Sequence, residues 1–303
     1  MRSRGAIYWE LARPFTLIAP ALGMFTGSVI ALGASPPIPL SPWIVVKIVL
    51  GTLMAAVLNA ASNTLNQVTD LEADLVNKPG RPIPSGRATT GEALRLAGLL
   101  YLAAFALATP VGPQCTFLAG TAAVLTVLYS APPFRLKAIP FLANAVIAVP
   151  RGLLLKVAGW TCVRDFGRVE PWYIGMIFGL FLLGATTTKD FADIRGDRAA
   201  GFRTIPVVLG TRRAAWLTAP FLVLPFLLIP WGLREGFLTG APLVLYALTA
   251  LLSLWGAYVA YLMLRRPEDL AATENHPSWT HMYVMMFAAQ VGFALAYVGH
   301  ATR

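Results

Sequence analysis

Two short stretches of this chain carry carboxylates at helical spacing. Asn66, Asp70 and Asp74 recur every four residues, a period that puts all three on one helix face. Asn63 and Asn59 extend the line backwards into an apolar segment. Asp190, Asp193 and Asp197 form a second set at i, i+3 and i+7, again where an apolar segment ends. A hydrocarbon-facing helix has no use for amides and carboxylates on one line, whereas a wet cavity holding cations does. Two such stripes facing one another would hold divalent cations, and the cations would hold a diphosphate. Mg²⁺ suits such a site, being a hard ion that prefers oxygen ligands and is commonly bound together with substrate phosphates. Glu72 points off the stripe and is read as a bystander.

The elements that must position these acids are apolar. The chain of 303 residues is 57% hydrophobic and 13% charged, about half the charged fraction of a soluble domain. Its apolar residues come in blocks at 15–34, 43–65, 93–110, 114–130, 139–160, 170–188, 213–232, 241–264 and 279–299. Each is about long enough to cross a bilayer, so the expected fold is all-α, a polytopic membrane protein with nine transmembrane helices. Pro110-Val111-Gly112-Pro113 separates the third and fourth blocks by a turn. With the N-terminus cytoplasmic, seventeen of the 24 Lys and Arg residues fall on the cytoplasmic side and four on the other, which sets the orientation by the positive-inside rule. Both acidic stripes then share the cytoplasmic face, because four crossings separate them. Nucleic acid is not an expected partner despite the net charge of +10, since the basic residues are scattered over short loops. Glu10 and Arg13-Pro14 interrupt the start of the first block, which therefore reads as a retained helix rather than a signal peptide. With no repeat or linker, residues 1–303 read as one domain.

Three basic residues lie within blocks: Lys47, Arg151 and Lys156. Arg151 is twelve residues into the fifth, roughly 18 Å deep at the helical rise. Arginine at that depth costs about 2.5–3.5 kcal/mol on insertion scales and ordinarily faces a cavity. It is a candidate contact for a diphosphate or an acceptor, with Asn144 seven residues earlier on the same face. Lys156 is nearer the outer end and can snorkel. Cys115 and Cys162 map to one side, where a disulfide is open to them. His276, His281 and His300 have no metal-ligand spacing.

Asn66-Gln67-Val68-Thr69-Asp70-Leu71-Glu72-Ala73-Asp74 resembles the NxxxDxxxD motif of the UbiA superfamily of intramembrane prenyltransferases. Lys189-Asp190-Phe191-Ala192-Asp193-Ile194-Arg195-Gly196-Asp197 is similar to the family's second motif, DxxDxxxD. The tails Asn77-Lys78-Pro79-Gly80-Arg81-Pro82 and Gly201-Phe202-Arg203-Thr204-Ile205-Pro206 match as well. The resemblance implies a helical bundle around a central cavity open to the cytoplasm. It implies a polyprenyl diphosphate donor bound through Mg²⁺, with Asn66, Asp70 and Asp74 serving one site and Asp190, Asp193 and Asp197 the other. Asn63, next to the first motif, and Lys189, which opens the second, join the substrate-binding set. Tyr129-Ser130-Ala131-Pro132-Pro133-Phe134-Arg135-Leu136-Lys137 resembles a family loop in which a Tyr and a later basic residue contact the diphosphate. The Pro-Pro form leaves Arg135 and Lys137 as alternatives for that contact. Arg13 resembles a family position near the substrate entrance and serves equally as a topological anchor. Many members carry an acid where this chain has Gln67, a departure that leaves the stripe intact.

The expected activity is Mg²⁺-dependent prenyl transfer in the cell membrane to an electron-rich, aromatic acceptor of the quinone-precursor type. The Arg151-Gly152-Leu153-Leu154 stretch resembles the family branch acting on homogentisate and related quinone precursors, while Arg81-Pro82-Ile83-Pro84-Ser85-Gly86 resembles the branches acting on glyceryl phosphate ether lipids or chlorophyllide. A cation transporter is the alternative from another class, although no acid continues a path to the far side. Phosphatidyl-alcohol transferases also pair intramembrane acids, but their compact DG…AR motif is not found here.

Overall fold

A computed structural model describes residues 3–272 and 276–301. Arg2 and Arg303, both counted in the charge asymmetry, lie outside them. The described residues form helices and connecting turns. Helix α1 (Arg4–Ala12) opens with a Ser3 cap and packs Ile7 and Leu11 against Ile83, Ala88 and Ala93. It ends at Arg13, whose left-handed backbone (φ 56°) precedes Pro14 and a 3₁₀ turn over Pro14–Leu17. Proline cannot continue a helix of this kind, so the chain turns and restarts as α2 (Ile18–Gly33).

Helix α3 (Pro42–Thr69) is followed after one residue by the short α4 (Leu71–Asn77). Then come α5 (Thr90–Ala108), started by a Thr89–Glu92 capping box, and α6 (Pro113–Ser130). The fifth apolar block is not one regular helix: α7 (Leu142–Ala148) passes through a π turn at Val149–Leu154 into α8 (Leu155–Trp160). Pro150 has no N–H to give the preceding turn, and the wide turn is marked by an i−5 bond from the Leu155 N–H to the Pro150 carbonyl. Helices α9 (Val169–Ala185) and α10 (Thr187–Ala199) run on almost without a break. The remainder comprises α11 (Ile205–Thr218), two 3₁₀ turns, α12 (Leu228–Arg234), α13 (Pro242–Arg265), α14 (Asp269–Ala272) and α15 (Pro277–Ala301).

Among the described residues, eight stretches are long and apolar enough to cross a membrane. Helix α6, which occupies the expected fourth span, has 18 residues and is not one of the eight. The surface carries the matching signature, with Leu243, Leu254, Leu102 and Phe117 all more than 60% exposed. Large apolar side chains on the outside of a bundle mark contact with lipid. The ring closes on itself: α15 packs against both α2 and α13, and α2 against α3 and α8. Where helices approach most closely they use glycine, as membrane bundles do. A Cβ on Gly152 would sit 2.6 Å from the Gly179 backbone, so the π turn lies directly on α9.

Candidate active site

The first acidic set straddles the junction of α3 and α4. Asp70 leaves helical geometry (φ −98°, ψ 9°), yet its N–H still bonds the Asn66 carbonyl at 2.8 Å. Asp74 N–H bonds the Asp70 carbonyl at the same distance, and Lys78 continues the pattern to Asp74. The four-residue repeat therefore survives the break, and the stripe with it. The Asn66 amide donates to Asp70 Oδ2 at 2.5 Å, and its carbonyl oxygen accepts from Ser130 at 3.1 Å. Glu72 is exposed.

The expected backward extension of the stripe is corrected. From Asn66 to Asn63 is three residues, not four, and the structure resolves two lines on α3. Asn59, Asn63 and Gln67 form a separate buried line whose amides bond the segment between α1 and α2. The Asn63 amide nitrogen donates to the Ala12 carbonyl (3.0 Å) and to Thr16 Oγ1 (2.8 Å).

The second set lies on α10 and meets the first through its tail. Asn77 donates to the Asp193 carbonyl at 3.0 Å and accepts from the Gly196 N–H at 2.9 Å. Lys78 pairs with Asp193 Oδ1 at 2.6 Å, and Lys189 reaches the other Asp193 oxygen at 3.3 Å. Arg81 pairs with buried Asp74 at 2.5 Å. Lys137, itself buried, pairs with Asp70 and bonds Thr69 Oγ1 at 2.8 Å. Arg135 instead donates to the Thr69 carbonyl at 2.5 Å. Of the two basic residues left open after Tyr129, Lys137 is therefore the one on the acids. Burial pushes Lys137 below the usual lysine range, against the pull of Asp70. Burial, reinforced by the like charge of Lys189, takes Lys78 down to about 8 despite its Asp193 partner.

Asp190 and Asp197 differ from these acids. Among the described residues the Asp197 carboxylate accepts only from Thr204 Oγ1, at 3.3 Å, and the Asp190 carboxylate has no hydrogen bond or ion pair. The two charges interact with each other, and Asp197 also with Asp70 across the site. Tyr129 lies in the field of Asp190, Asp70 and Asp197 and of Arg151. Arg151 is open to the interior and lines an apolar cavity with Met54, Leu58, Leu118, Ala122 and Leu154. It has no hydrogen bond or ion pair among the described residues, and its electrostatic neighbours are Tyr129 and Tyr283. Arg13 lies near Arg81, Arg151, Asp74 and Asp193; burial and the two like charges push it down to about 10.

The description "UbiA prenyltransferase family" matches residues 21–279. This chain belongs to that family. As a UbiA prenyltransferase it is 32% identical to a digeranylgeranylglyceryl phosphate synthase of Methanopyrus kandleri, over 80% of this chain and 84% of that protein. It is 28% identical to the synthase of the same name from Thermococcus kodakarensis, over 95% and 96%. A protein of Oryza sativa named Probable homogentisate phytyltransferase 2, chloroplastic, is 33% identical over 71% of this chain, a match spanning 58% of the rice protein. Its fold is shared with a UbiA homologue from Archaeoglobus fulgidus bound to GPP and Mg²⁺, with a TM-score of 0.75 at 18% identity, covering 98% and 100% of the two chains. The UbiA prenyltransferase is thus a multi-pass membrane enzyme, and the transporter alternative is set aside.

Whether its residues suit Mg²⁺ can be tested on the donors. No three carboxylate, imidazole or thiol side chains among the described residues converge on one point in this conformation. Three of the acids are instead neutralised by Lys78, Arg81 and Lys137. Asp190 and Asp197 remain as neighbouring carboxylates with no ion-pair partner among the described residues, a set of hard oxygen donors that fits a hard divalent ion. Sequence reasoning did not single out Asn77, Lys78, Arg81, Ser130 or Thr204 individually, although the first three lie in the tail that trails the first motif. It missed Tyr283 altogether. Lys156 does not snorkel: it is buried, bonded to Thr26 Oγ1 at 2.9 Å, with its ammonium 4.3 Å from the Phe178 ring centre. Cys115 and Cys162 are free, buried thiols.

Proposed function

We propose that this enzyme transfers a prenyl group from a polyprenyl diphosphate to a small acceptor at the cytoplasmic face of the cell membrane, in a Mg²⁺-dependent reaction. The observation that carries this reading is the charge pattern. Asp190 and Asp197, neither in an ion pair among the described residues, neighbour each other in the field of Lys189, and Asp197 also interacts with Asp70. Lys78, Arg81 and Lys137 pair with the remaining acids near an apolar cavity. Asn66, Asp70 and Asp74 on one side and Asp190, Asp193 and Asp197 on the other would hold the metal. When bound, Mg²⁺ supplies charge neutralisation for the departing diphosphate.

The chain's own groups account for the rest. Lys78, Arg81 and Lys137 sit where diphosphate oxygens would arrive and can exchange a carboxylate for phosphate. Tyr129 is an electrostatic neighbour of both the acids and Arg151, which suits it to a place near the allylic C–O bond that breaks. The apolar cavity takes the hydrocarbon tail and excludes water from the allylic cation. The acceptor's nucleophile forms the new bond to the allylic carbon and gives up its proton, and diphosphate leaves with the electron pair of the broken bond.

For the acceptor, the relatives matched over most of both chains carry the name of a glyceryl phosphate synthase, so a prenylated glyceryl phosphate is the leading reading. A phenolic quinone precursor of the homogentisate type is the second, favoured by the rice relative and the Arg151-Gly152 stretch. Purified enzyme should be crossed with several prenyl diphosphates and with prenylated glyceryl phosphate, homogentisate and chlorophyllide acceptors, following pyrophosphate release and product mass. Acceptor-dependent release that needs Mg²⁺ is expected. Absence of release from every prenyl diphosphate would overturn the proposal.

A further inference from the structure

The second line of amides on α3 has no place in the metal site. Asn59, Asn63 and Gln67 are 8%, 4% and 1% exposed, and all three donate into residues 11–16, which comprise the end of α1 and the turn that leads to α2. Gln67 Nε2 bonds the Leu11 carbonyl at 2.7 Å, Asn63 bonds Ala12 as described, and Asn59 bonds the Thr16 carbonyl at 3.1 Å. Thr16 relays the hold: its hydroxyl accepts from Asn63 and donates to the Arg13 carbonyl at 2.8 Å. On the far side, Phe15 stacks on Tyr283 of α15 with ring centres 5.3 Å apart. Everything that grips this segment surrounds one residue, Arg13.

Arg13 needs that grip. Its left-handed backbone is a conformation that residues other than glycine, asparagine and aspartate rarely adopt. Its guanidinium has no hydrogen bond or ion pair among the described residues, yet it stands in the field of Asp74, Asp193, Arg81 and Arg151. A half-buried planar fork without a partner is suited to an arriving polyanion, because phosphate oxygens match its donors in pairs.

We propose that Asn59, Asn63 and Gln67 are positioning residues that lock the Arg13 turn and thereby deliver the Arg13 guanidinium to the diphosphate of the donor. The inference rests on the proposed prenyl diphosphate substrate. It also accounts for Gln67 at a position where an acid was the alternative: a carboxylate has no hydrogen to give the Leu11 carbonyl, whereas an amide has.

The test is a set of double-mutant cycles between Arg13→Ala and either Asn63→Asp or Gln67→Met, read as KM for each substrate and kcat. Arg13→Ala is expected to raise KM for the prenyl diphosphate about tenfold, with acceptor KM within about twofold of wild type. Asn63→Asp and Gln67→Met should each raise the same KM about fivefold, and adding Arg13→Ala to either should raise it no further than Arg13→Ala alone. Multiplicative effects in the double variants, or effects confined to acceptor KM or kcat, would overturn the assignment. Thermal stability is measured beside each cycle; if Asn63→Asp does not fold, the Gln67→Met cycle decides. Wild-type transfer with an unaffected Arg13→Ala variant removes this inference alone, whereas a wild-type enzyme that turns over no prenyl diphosphate removes the functional reading beneath it.

Discussion

Replacing Arg151 separates a substrate contact from a structural ion pair. In a membrane bundle, deleting one half of a buried pair leaves an uncompensated charge and costs about 3–5 kcal/mol. Arg151 has no such partner among the described residues. It projects from the π turn into a cavity whose other walls include Met54, Leu118, Ala122 and Leu154. Arg151→Leu therefore exchanges a lone guanidinium for a side chain that matches the lining. The protein should lose no thermal stability, because a charge costing about 2.5–3.5 kcal/mol at mid-membrane has been removed. Activity should move the other way. A charge-assisted hydrogen bond contributes about 1.5–3 kcal/mol, which predicts a fall in kcat/KM of roughly ten- to a hundredfold. Arg151→Lys keeps the charge but loses the planar fork, so its loss should be intermediate, about three- to tenfold. Prenyl transfer and thermal unfolding of purified enzyme in detergent measure both quantities on the same samples. A stable Arg151→Leu enzyme with wild-type kcat/KM refutes the substrate contact, and an unstable one refutes the absence of a structural partner.

Asp70→Ala, Asp74→Ala, Asp190→Ala and Asp197→Ala should each lower prenyl transfer by at least about a hundredfold, roughly 2.7 kcal/mol. Exposed Glu72 should tolerate alanine, and an essential Glu72 beside dispensable Asp70 and Asp74 would contradict the stripe. Single cysteines near Gly86 and Gly201 should be labelled only from the cytoplasmic side and one near Gly167 only from outside; opposite-side labelling of the first two would end both the orientation and the shared site. Gly152→Leu should push the π turn off α9, because even a Cβ there would stand 2.6 Å from the Gly179 backbone. Overpacking of this kind costs about 1–3 kcal/mol, so a lower unfolding temperature and a displaced Arg151 with reduced activity are expected, and an unchanged protein would contradict the close approach.

The membrane fold and the two acidic sets were legible in the sequence because each rests on a single periodicity. Block length reports the bilayer, and a repeat of four reports one helix face. The π turn was not legible, since an apolar block with one proline reads the same whether the backbone kinks, widens or breaks. Nor was the division of labour on α3. Asn63 lies three residues before Asn66 rather than four, which shifts it to the neighbouring i, i+4 row of α3, and the amides of that row bond the N-terminal segment before α2. Composition alone does not register that phase shift, and the same amide can serve a metal or a carbonyl. Lys78, Arg81 and Lys137 were legible only as positive-inside charges or as parts of a resemblance. Their pairing with Asp193, Asp74 and Asp70 depends on how the tail of α4 folds onto α10 through Asn77. That fold leaves Asp190 and Asp197 as the acids of the two sets without an ion pair among the described residues, a distinction invisible in a motif that writes all three aspartates of the second set alike. Spacing thus identifies which residues are able to bind a cation, and packing decides which of them the protein itself has already neutralised.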